Sequence, residues 1–324
     1  MGRIPTTDLY FVNSCGHKVA RWLKPGPVKP IGANSFAIGD TYLLIRRDTD
    51  RIMRDLLESP RRLVYLVDDD IEGAATSPSL PEGYRKRLME FHSRYHGALT
   101  RRADILVATS PVLLDRFAWH TDVRLLHPVW HLPMAGNRHF DGIEEAKPIR
   151  AVHLGSGSHS DGIAFLRPVL TQLIDRYEQL HFTYIGASPA LGSLDDHARV
   201  QRMKPQSWRV HKRWLARQRF HLGLYPLPNT PFHRARSRNK ILEYGIVGAV
   251  GVYPADWQPA QTMKNHALLC SPEQRHWTDT LSTVLSECRR IRALSECSGA
   301  VLDRLNDPAN QRAFWSDVLK VDLT

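Results

Sequence analysis

Two segments, one at residues 153–162 and one near residues 224–244, carry side chains suited to binding phosphorylated ligands. The first, residues 153–162, joins a predicted strand to a predicted helix and reads His-Leu-Gly-Ser-Gly-Ser-His-Ser-Asp-Gly. Small residues at such a turn let backbone N–H groups approach an anion, and the helix N-terminus adds partial positive charge. We expect an anion site at Gly155, Ser156, Gly157, Ser158 and His159. A tight turn capped by Ser160 or Asp161 is the structural alternative.

The second segment follows the run Leu224-Tyr225-Pro226-Leu227-Pro228 and opens a predicted helix near Ser237. Cations at the start of a helix suit a diphosphate, because they add to the partial positive charge of the helix N-terminus. Glu243, further along the same helix, can accept hydrogen bonds from a diol. The residues expected to act here are Arg236, Ser237, Asn239, Lys240 and Glu243. A solvated basic helix, with Lys240 and Glu243 as an ordinary surface pair, is the structural alternative.

Three consecutive aspartates, Asp68, Asp69 and Asp70, follow an apolar run that predicts a buried strand. Close carboxylates raise one another's pKa, so that one of them can act as an acid or a base. The same run could instead hold a divalent cation. It could also be a solvated loop in which one aspartate caps the next segment.

A polar segment near the start of the chain, residues 13–18, follows a predicted strand at residues 9–13. Gly16 permits a close approach of the backbone to a ligand, and His17 can orient an acceptor hydroxyl or a donor sugar. A plain turn with an exposed histidine is the alternative. Cys15 has no evident base partner, which argues against a thiol nucleophile.

Alternating strands and helices must position these segments, and such alternation is typical of parallel α/β sheets. A stretch with several prolines at residues 127–150 predicts a connector that joins two such series. Open parallel sheets bind ligands at the carboxyl ends of their strands, so we expect the site in a crevice there. The predicted strands are residues 9–13, 42–46, 63–68, 104–109, 123–127, 151–154, 181–186, 221–226, 249–253 and 266–270. The predicted helices are residues 50–58, 82–102, 111–119 and 161–180, with two more that start near residues 273 and 292.

The segment from Phe232 to Tyr244 resembles the donor-binding segment of retaining GT-B glycosyltransferases related to bacterial polysaccharide enzymes. A common form there is Phe-Asn-x-x-Lys-Ser-x-x-Lys-x-x-Glu-Tyr, which this chain matches at Phe232, Ser237, Lys240, Glu243 and Tyr244. His233 replaces the asparagine, and Arg236 replaces a lysine and keeps its charge. Residues 42–47, 63–70 and 102–110 are similar to the acceptor domain of the same enzymes.

The resemblance implies an α/β fold of two Rossmann-like domains whose open parallel sheets face each other across a cleft (GT-B). Residues 1–130 would form the acceptor-side domain, residues 131–150 the connector, and residues 151–324 the donor domain, whose last helix is free to cross back. The implied donor substrate is a nucleotide-diphosphate sugar, with no cofactor and no metal. The implied acceptor is saccharide, lipid-linked or protein-linked.

The same resemblance implies roles for individual residues. Glu243 would bind the nucleotide ribose, and Ser237 with Lys240 the diphosphate. Many relatives carry another glutamate eight residues before the ribose-binding one; Ala235 stands there in this chain, which leaves the sugar open. The expected catalytic residues are His17, Asp69, Arg236 and Lys240. The expected acceptor-side residues are Asn13, Gly16, Arg46, Asp68 and Asp70, and those expected near the nucleotide base are Met203 and Lys204.

The 324-residue chain carries 44 Lys and Arg against 33 Asp and Glu, a net charge of +11 that favours an anionic partner. Residues 199–219 hold eight of these cations and no acidic residue, with Trp208 and Trp214 interleaved. Such a segment can bind nucleic acid or rest on anionic lipid headgroups. A basic nucleic-acid-binding α/β protein is therefore the first alternative function. A nicotinamide-dependent oxidoreductase is the second, although Ser160 stands where a dinucleotide fingerprint needs glycine.

Two further features indicate the cellular setting. No apolar run approaches the roughly 18 residues that a transmembrane helix needs. The four cysteines form no C-x-x-C pair and are too few for a disulfide framework. We therefore expect a cytoplasmic enzyme, at or near the inner face of the membrane, that acts in surface polysaccharide or glycoconjugate synthesis, with nucleic acid not among its partners.

Overall fold

The computed structural model describes residues 2–20, 25–78, 80–143, 147–155 and 160–324. The chain divides into two compact units, and each is described by itself. The first unit comprises Met1–His131, Thr230–Arg238 and Asn306–Thr324, and the second comprises Leu132–Asn229 and Asn239–Leu305. Two segments from the second half of the sequence thus belong to the first unit.

A mixed six-stranded sheet forms the centre of the first unit, in the order β1-β2-β3-β4-β5-β6. Its strands are β1 (Val28–Pro30), β2 (Ser35–Ile38), β3 (Thr41–Ile45), β4 (Arg62–Val67), β5 (Ile105–Ala108) and β6 (Val123–Leu125). Strands β1 to β3 pair antiparallel, and β3 to β6 pair parallel, with Leu44 opposite Tyr65 and Tyr65 opposite Leu106. The central strands β4 and β5 are buried along nearly their whole length, as expected for parallel strands covered on both faces.

The helices of the chain are mostly short in the first half and longer towards the end. The first seven are α1 (Pro5–Thr7), α2 (Asn13–Cys15), α3 (Asp50–Glu58), α4 (Ile71–Thr76), α5 (Glu82–Phe91), α6 (Gly97–Arg102) and α7 (Pro111–Arg116). The others are α8 (Ser160–Arg176), α9 (Trp208–Leu215), α10 (Pro231–Arg234), α11 (Asn239–Ile246), α12 (Gln274–Ser286), α13 (Cys288–Leu305) and α14 (Pro308–Leu319). Among the described residues, no helix is both long and apolar enough to cross a membrane.

The second unit contains a six-stranded sheet that is parallel throughout, in the order β12-β11-β10-β7-β8-β9. Its strands are β7 (Ile149–His153), β8 (Leu180–Ile185), β9 (Val200–Met203), β10 (Leu222–Leu224), β11 (Val250–Pro254) and β12 (Leu268–Cys270). Helix α8 packs on this sheet through the apolar stripe that includes Ile163, Leu166, Leu170 and Leu173, with Pro168 inside the helix. The predicted α/β class with two parallel-dominated sheets is confirmed.

One predicted strand is wrong: residues 9–13 are helical. Helix α1 starts with Pro5 at its first position, a π-helical turn follows at Asp8–Val12, and α2 and a 3-10 turn at Gly16–Lys18 complete the segment. Leu9, Tyr10 and Phe11 are all buried. A short run that is apolar on every side is compatible with a buried strand and with a buried helix, so the pattern could not distinguish them.

The last helix fastens this helical segment to the rest of the first unit. The Gln311 side chain donates hydrogen bonds from Nε2 to the carbonyl oxygens of Leu9, at 3.1 Å, and His127, at 2.9 Å. Its Oε1 accepts a hydrogen bond from the Ser14 hydroxyl. Trp315 Nε1 donates to the Tyr10 carbonyl at 2.6 Å. The Leu9 carbonyl also accepts from the Val129 N–H at 2.8 Å, so Gln311 adds a second bond there and ties the helical segment to the residues before the connector.

We expect Gln311→Ala to lower the free energy of unfolding by about 2–4 kcal/mol, because two buried carbonyl groups and a buried hydroxyl lose a partner. Gln311 is only 2% exposed, so water cannot replace the lost bonds without rearrangement. Urea denaturation measures the change. Gln274→Ala on α12, where the amide donates to the Phe165 carbonyl at an exposed position, is the matched control and should change stability by less than about 0.5 kcal/mol. An equal loss in both variants would contradict the assigned role of Gln311.

Candidate functional site

In the first unit, polar residues follow three neighbouring parallel strands at the point where each strand ends. Arg46 comes directly after β3, Asp68 after β4 and Thr109 after β5. Since the carboxyl ends of parallel strands meet at one edge of a sheet, these side chains share that edge. It is the edge at which the sequence predicted functional groups.

Arg46 has an unusual backbone conformation at this edge. Its φ of +59° lies in the left-handed region, which costs a non-glycine residue about 1 kcal/mol or more. Its Nη1 lies 3.2 Å from Asp68 Oδ2 and 2.9 Å from Asp69 Oδ2. Burial alone would lower the pKa of Arg46, but the carboxylates of Asp68 and Asp69 outweigh this effect and raise it. The guanidinium therefore stays charged and bridges two acidic side chains.

Asp69 is bound by a second arginine as well. Arg236 Nη1 donates to Asp69 Oδ1 at 2.7 Å, although the two residues are 167 positions apart in the sequence. Asp68 accepts a further hydrogen bond from the Thr6 hydroxyl, and burial raises the pKa of its carboxyl above the ordinary range. Arg46, Asp68, Asp69 and Arg236 form one largely buried network of two positive and two negative charges, which we call the four-charge network.

Asp70 has a different task from its two neighbours. Its carboxylate accepts a hydrogen bond from the Gly73 backbone N–H at 2.8 Å and so caps the start of α4. The same side chain forms an ion pair with Arg116. A Cβ at Gly73 would lie 2.1 Å from Asp70 Oδ2, so a larger residue there would displace the capping carboxylate. The capping role that the sequence left open for one aspartate is that of Asp70, and burial raises the pKa of this carboxyl.

The segment Thr230–Arg238 brings Arg236 to the network. The Thr230 hydroxyl accepts from the His233 N–H and caps the single turn of α10, and Phe232 and Ala235 are buried among apolar residues of the first unit. The Ser110 hydroxyl donates to the Ala235 carbonyl at 2.7 Å. The Arg236 guanidinium lies 4.3 Å from the centre of the Phe232 ring, a cation–π contact. Arg236 is thereby fixed from both sides.

Two residues that the sequence did not single out complete this edge of the first unit. Tyr10 is buried beside Ser237, Thr109 and Asp68, and burial raises the pKa of its hydroxyl well above the ordinary value. Thr6 binds Asp68 directly. Tyr10 lies in the segment predicted as a strand at residues 9–13, and Thr6 lies just before it; the observed helical turns put both at this edge. Thr109 carried a signal, since it is the last residue of the strand predicted at residues 104–109 and directly follows the observed β5.

The predicted residues of the polar segment at 13–18 lie on helical turns and not in a loop after a strand. Asn13 begins α2 and donates from Nδ2 to the Val129 carbonyl at 2.7 Å. Gly16 and His17 lie in the 3-10 turn, where His17 is exposed. Asn13 thus has a structural bond, and the roles of Gly16 and His17 stay predictions.

In the second unit, Lys240 and Glu243 form an ion pair on the first turn of α11, and Asn239 Nδ2 donates to Glu243 Oε1 at 3.2 Å. Glu243 is only 4% exposed, so the pair is not the solvated surface pair that the sequence allowed. Both carboxylate oxygens of Glu243 are held by neighbours. Such a carboxylate is fixed in place before any ligand arrives.

Two histidines lie near this pair. Burial lowers the pKa of His211. The nearby Glu243 opposes this effect, and Lys240 adds to it. The His211 ring stacks 6.0 Å from Trp208 on one side and 6.0 Å from Trp214 on the other. His153 ends β7 and donates from Nδ1 to the Leu224 carbonyl at 2.9 Å. Burial, with a smaller contribution from Lys240, lowers its pKa to about 4.

The remaining donor-side predictions are spread along the carboxyl ends of the second sheet. Gly155 is buried two residues after β7, Met203 ends β9, and Lys204 is exposed directly after it. Ser156, Gly157, Ser158 and His159 lie outside the described residues. Gly162 at the start of α8 approaches the Pro226 carbonyl so closely that a Cβ there would lie 2.8 Å from it.

The basic stretch at 199–219 uses several of its cations to bind backbone carbonyls. Arg199 donates to the carbonyls of Tyr177, Leu180 and Ile174. Arg202 and Arg219 donate to nearby carbonyls too. The exposed cations of this stretch are Lys204, Arg209, Arg213 and Arg217. Within the described ranges, no group of three or more His, Cys, Asp or Glu side chains is arranged to hold a metal ion.

No protein-family model and no curated protein matches the chain. Solved structures do. Anabaena HepE in complex with UDP and glucose is 14% identical over 86% of this chain and 77% of its own, with a TM-score of 0.60. TarM is 9% identical over 86% of this chain and 54% of its own, with a TM-score of 0.62. The UDP-forming α,α-trehalose-phosphate synthase of Burkholderia vietnamiensis is 11% identical over 86% of this chain and 73% of its own, with a TM-score of 0.54. The fold is GT-B.

The resemblance to GT-B enzymes noted in the sequence is thus confirmed at the level of the fold. At 9–14% identity the similarity is one of architecture, and it assigns no role to a residue. The GT-B fold explains why the predicted groups lie where parallel strands end in each unit. The roles of the individual residues stay predictions.

Because the folded-state pKa of His153 is about 4, below the ordinary 6.5, the unfolded chain takes up a proton first as the pH falls. This histidine therefore contributes stability above pH 6.5 that is lost between about pH 6.5 and 4, on the order of 3 kcal/mol. In His153→Asn, whose amide can still donate to Leu224, the loss of unfolding free energy between pH 7 and 4 should be smaller by about that amount. Urea denaturation at several pH values measures it, with the exposed His276→Asn as control. Parallel pH curves for His153→Asn and the wild type would refute the assignment.

Proposed function

We propose that this GT-B protein is a glycosyltransferase that moves a sugar from a nucleotide-diphosphate sugar to a hydroxyl acceptor. The observation that carries the proposal is the buried Glu243, held by Lys240 and Asn239 at the start of α11 in a unit of GT-B fold. A buried carboxylate whose position is fixed can accept two hydrogen bonds from a ribose diol. The second unit is therefore the proposed donor-binding unit.

The leaving group in this reaction is a nucleoside diphosphate, which carries negative charge. Lys240, Ser237 and Arg236 supply a cation, a hydroxyl and a second cation within five residues of sequence. In the free protein Glu243 balances Lys240 and Asp69 balances Arg236, so both cations are held in place by a carboxylate. Charges that are already oriented stabilise a developing charge without reorganisation. We propose that Arg236 and Lys240 stabilise the departing diphosphate.

The structural neighbours suggest the base to test first. HepE is described in complex with UDP and glucose and in complex with UDP-glucose, and the trehalose-phosphate synthase is described as UDP-forming. A UDP-sugar is therefore the proposed donor. Because Ala235 stands where many relatives have a glutamate, the identity of the donor sugar stays open. Met203 and Lys204 are proposed to lie near the nucleotide base.

The first unit is the proposed acceptor side. Arg46, Asp68, Asp69 and Asp70 gather where β3 and β4 end, and His17, Gly16 and Asn13 lie on helical turns of the same unit. We assign Asp69 and His17 to positioning the acceptor hydroxyl. A saccharide, lipid-linked or protein-linked acceptor in surface polysaccharide or glycoconjugate synthesis fits this chemistry, and the exposed cations around α9 favour work at an anionic membrane face.

A thermal-shift panel is the direct test. We expect a UDP-sugar at about a hundred times its Kd to raise the Tm by about 3 °C or more, because a ligand that binds only the folded state stabilises it by mass action. Glu243→Gln keeps the shape of the side chain and removes its charge. Loss of a hydrogen bond to a charged group should weaken donor binding about ten- to a hundredfold, as measured by calorimetry.

Glu296→Gln on α13, which removes an exposed carboxylate bound to Arg292, is the matched control and should leave donor affinity unchanged. The same panel includes NAD(P) and random duplex DNA. Stabilisation by NAD(P), or salt-dependent binding of DNA without any effect of nucleotide sugars, would overturn the proposal in favour of one of those functions.

We further propose that the transfer retains the anomeric configuration and needs no divalent metal. The proposal of retention rests on the sequence resemblance. The proposal that no metal is needed rests on the aspartate run, in which every carboxylate already has an arginine partner. Arg46 binds Asp68, Arg46 and Arg236 bind Asp69, and Arg116 binds Asp70. We expect EDTA to change the transfer rate by less than about twofold, and proton NMR of the product to show the anomeric coupling of the donor. Loss of activity in EDTA that Mg²⁺ or Mn²⁺ restores, or an inverted product, would disprove the respective claim.

A further inference from the structure

Beneath the four-charge network, a tyrosine and a histidine contact the backbone of Arg46. The Tyr65 hydroxyl lies 3.0 Å from the Arg46 carbonyl oxygen and 2.8 Å from His96 Nδ1. Tyr65 is completely buried in β4, and His96 is only 5% exposed. Neither residue belongs to the set of expected site residues.

The direction of both hydrogen bonds follows from the groups involved. A carbonyl oxygen can only accept, so the single hydrogen of the Tyr65 hydroxyl goes to Arg46. His96 must then donate from Nδ1 to the Tyr65 oxygen, which fixes its neutral tautomer with the proton on Nδ1. Burial lowers the pKa of His96 to about 3, so the ring stays neutral at physiological pH.

A local irregularity in the helix places His96. The π-helical turn His92–His96 joins α5 to α6, and its wider turn carries Tyr95 and His96 into the interior. Such turns are rare and frequently occur at functional sites. A second π-helical turn in the same unit, Asp8–Val12, carries Tyr10 beside Asp68.

A hydrogen bond to the Arg46 carbonyl restrains the backbone conformation of Arg46, and that conformation determines the direction of its side chain. Arg46 has a φ of +59°, its N–H donates to the Leu66 carbonyl at 2.9 Å, and its own carbonyl is held by Tyr65. In the favoured extended conformation the side chain would leave in a different direction. The left-handed backbone is therefore what lets one guanidinium reach both Asp68 and Asp69.

We propose that Tyr65 and His96 are positioning residues that hold the Arg46 backbone left-handed and thereby order the network from Arg46 through Asp69 to Arg236. The pair itself touches no substrate. Its effect on transfer rests on the proposed function, in which Arg236 stabilises the departing diphosphate. Its effect on the network is independent of any donor and can be measured without one.

Two measurements on the free protein test the first link. Nitrogen NMR of labelled histidine should show the His96 tautomer with the proton on Nδ1. Carbon NMR of labelled aspartate should show that the Asp68 carboxyl titrates at a pH higher by half a unit or more in Tyr65→Phe, because Arg46 no longer holds it. The charged or titratable groups that face this carboxyl are Arg46, Asp69, Arg236, Tyr10 and Tyr65 itself, with Arg47 nearby. Unchanged titration in Tyr65→Phe would overturn the proposal.

Enzyme kinetics test the second link. In Tyr65→Phe we expect kcat to fall about tenfold while the donor KM changes less than twofold, because Arg236 would be misplaced for the departing group and the donor unit is untouched. Tyr95→Phe is the matched control, since Tyr95 is buried on the same π-helical turn and its hydroxyl contacts only the exposed Arg94 among the described residues. A lower Tm without the change in kcat would assign Tyr65 a purely structural role and refute the proposal.

A second pair of variants covers the case in which Tyr65→Phe fails to fold. His96→Asn can still donate to Tyr65 and should keep the Asp68 titration and kcat close to wild type, whereas His96→Leu should shift both. Equal behaviour of His96→Asn and His96→Leu would contradict the proposal. If the NMR shifts occur but no nucleotide sugar binds to any variant, the positioning role stands and the proposed function fails.

Discussion

The four-charge network is the constraint on which the first unit of this protein depends. Two carboxylates and two guanidiniums lie largely buried together, and removing any one of them leaves an uncompensated charge where water solvates it poorly. The network joins the ends of β3 and β4 to a segment that enters the unit 167 positions later, through Asp69 and Arg236. The Ser110–Ala235 hydrogen bond and the burial of Phe232 keep that segment in place. The Asp69–Arg236 ion pair, this hydrogen bond and the apolar burial together place residues 230–238 in the first unit.

Much of the architecture could be predicted from the sequence, because parallel strands covered on both faces are continuous apolar runs. Residues 63–68 and 104–109 correspond to β4 and β5 for that reason. The same rule failed at residues 9–13, where the apolar run is a helix covered on all sides. Gln311 and Trp315, some 300 positions away, donate hydrogen bonds to the backbone of this helical segment. No local sequence pattern encodes such a tertiary interaction. The edge strand β1, which ends at Pro30, and its neighbour β2 also lacked a clear strand pattern.

The candidate site divides in the same way. The position of Arg46, Asp68 and Asp69 at one edge could be predicted, since strand ends of a parallel sheet share an edge. Their partners could not, because the pairing of Asp69 with Arg236 and of Asp70 with Arg116 depends on long-range packing. Glu243 shows a further limit. Its spacing from Lys240 is that of an ordinary surface pair, and only its burial distinguishes it from one.

The net charge of +11 is the feature that the structure reinterprets most. The Arg199 guanidinium donates hydrogen bonds to three backbone carbonyls, and that of Arg102 donates to the carbonyls of Ser59 and Arg61. An arginine that closes a strand or helix end in this way adds to the charge of the chain without offering a binding surface. Arg46, Arg116 and Arg236 are likewise balanced by buried aspartates. An excess of positive charge in a sequence is therefore incomplete evidence for a polyanionic partner, because arginines that bind backbone carbonyls, such as Arg199, contribute to it without forming a binding surface.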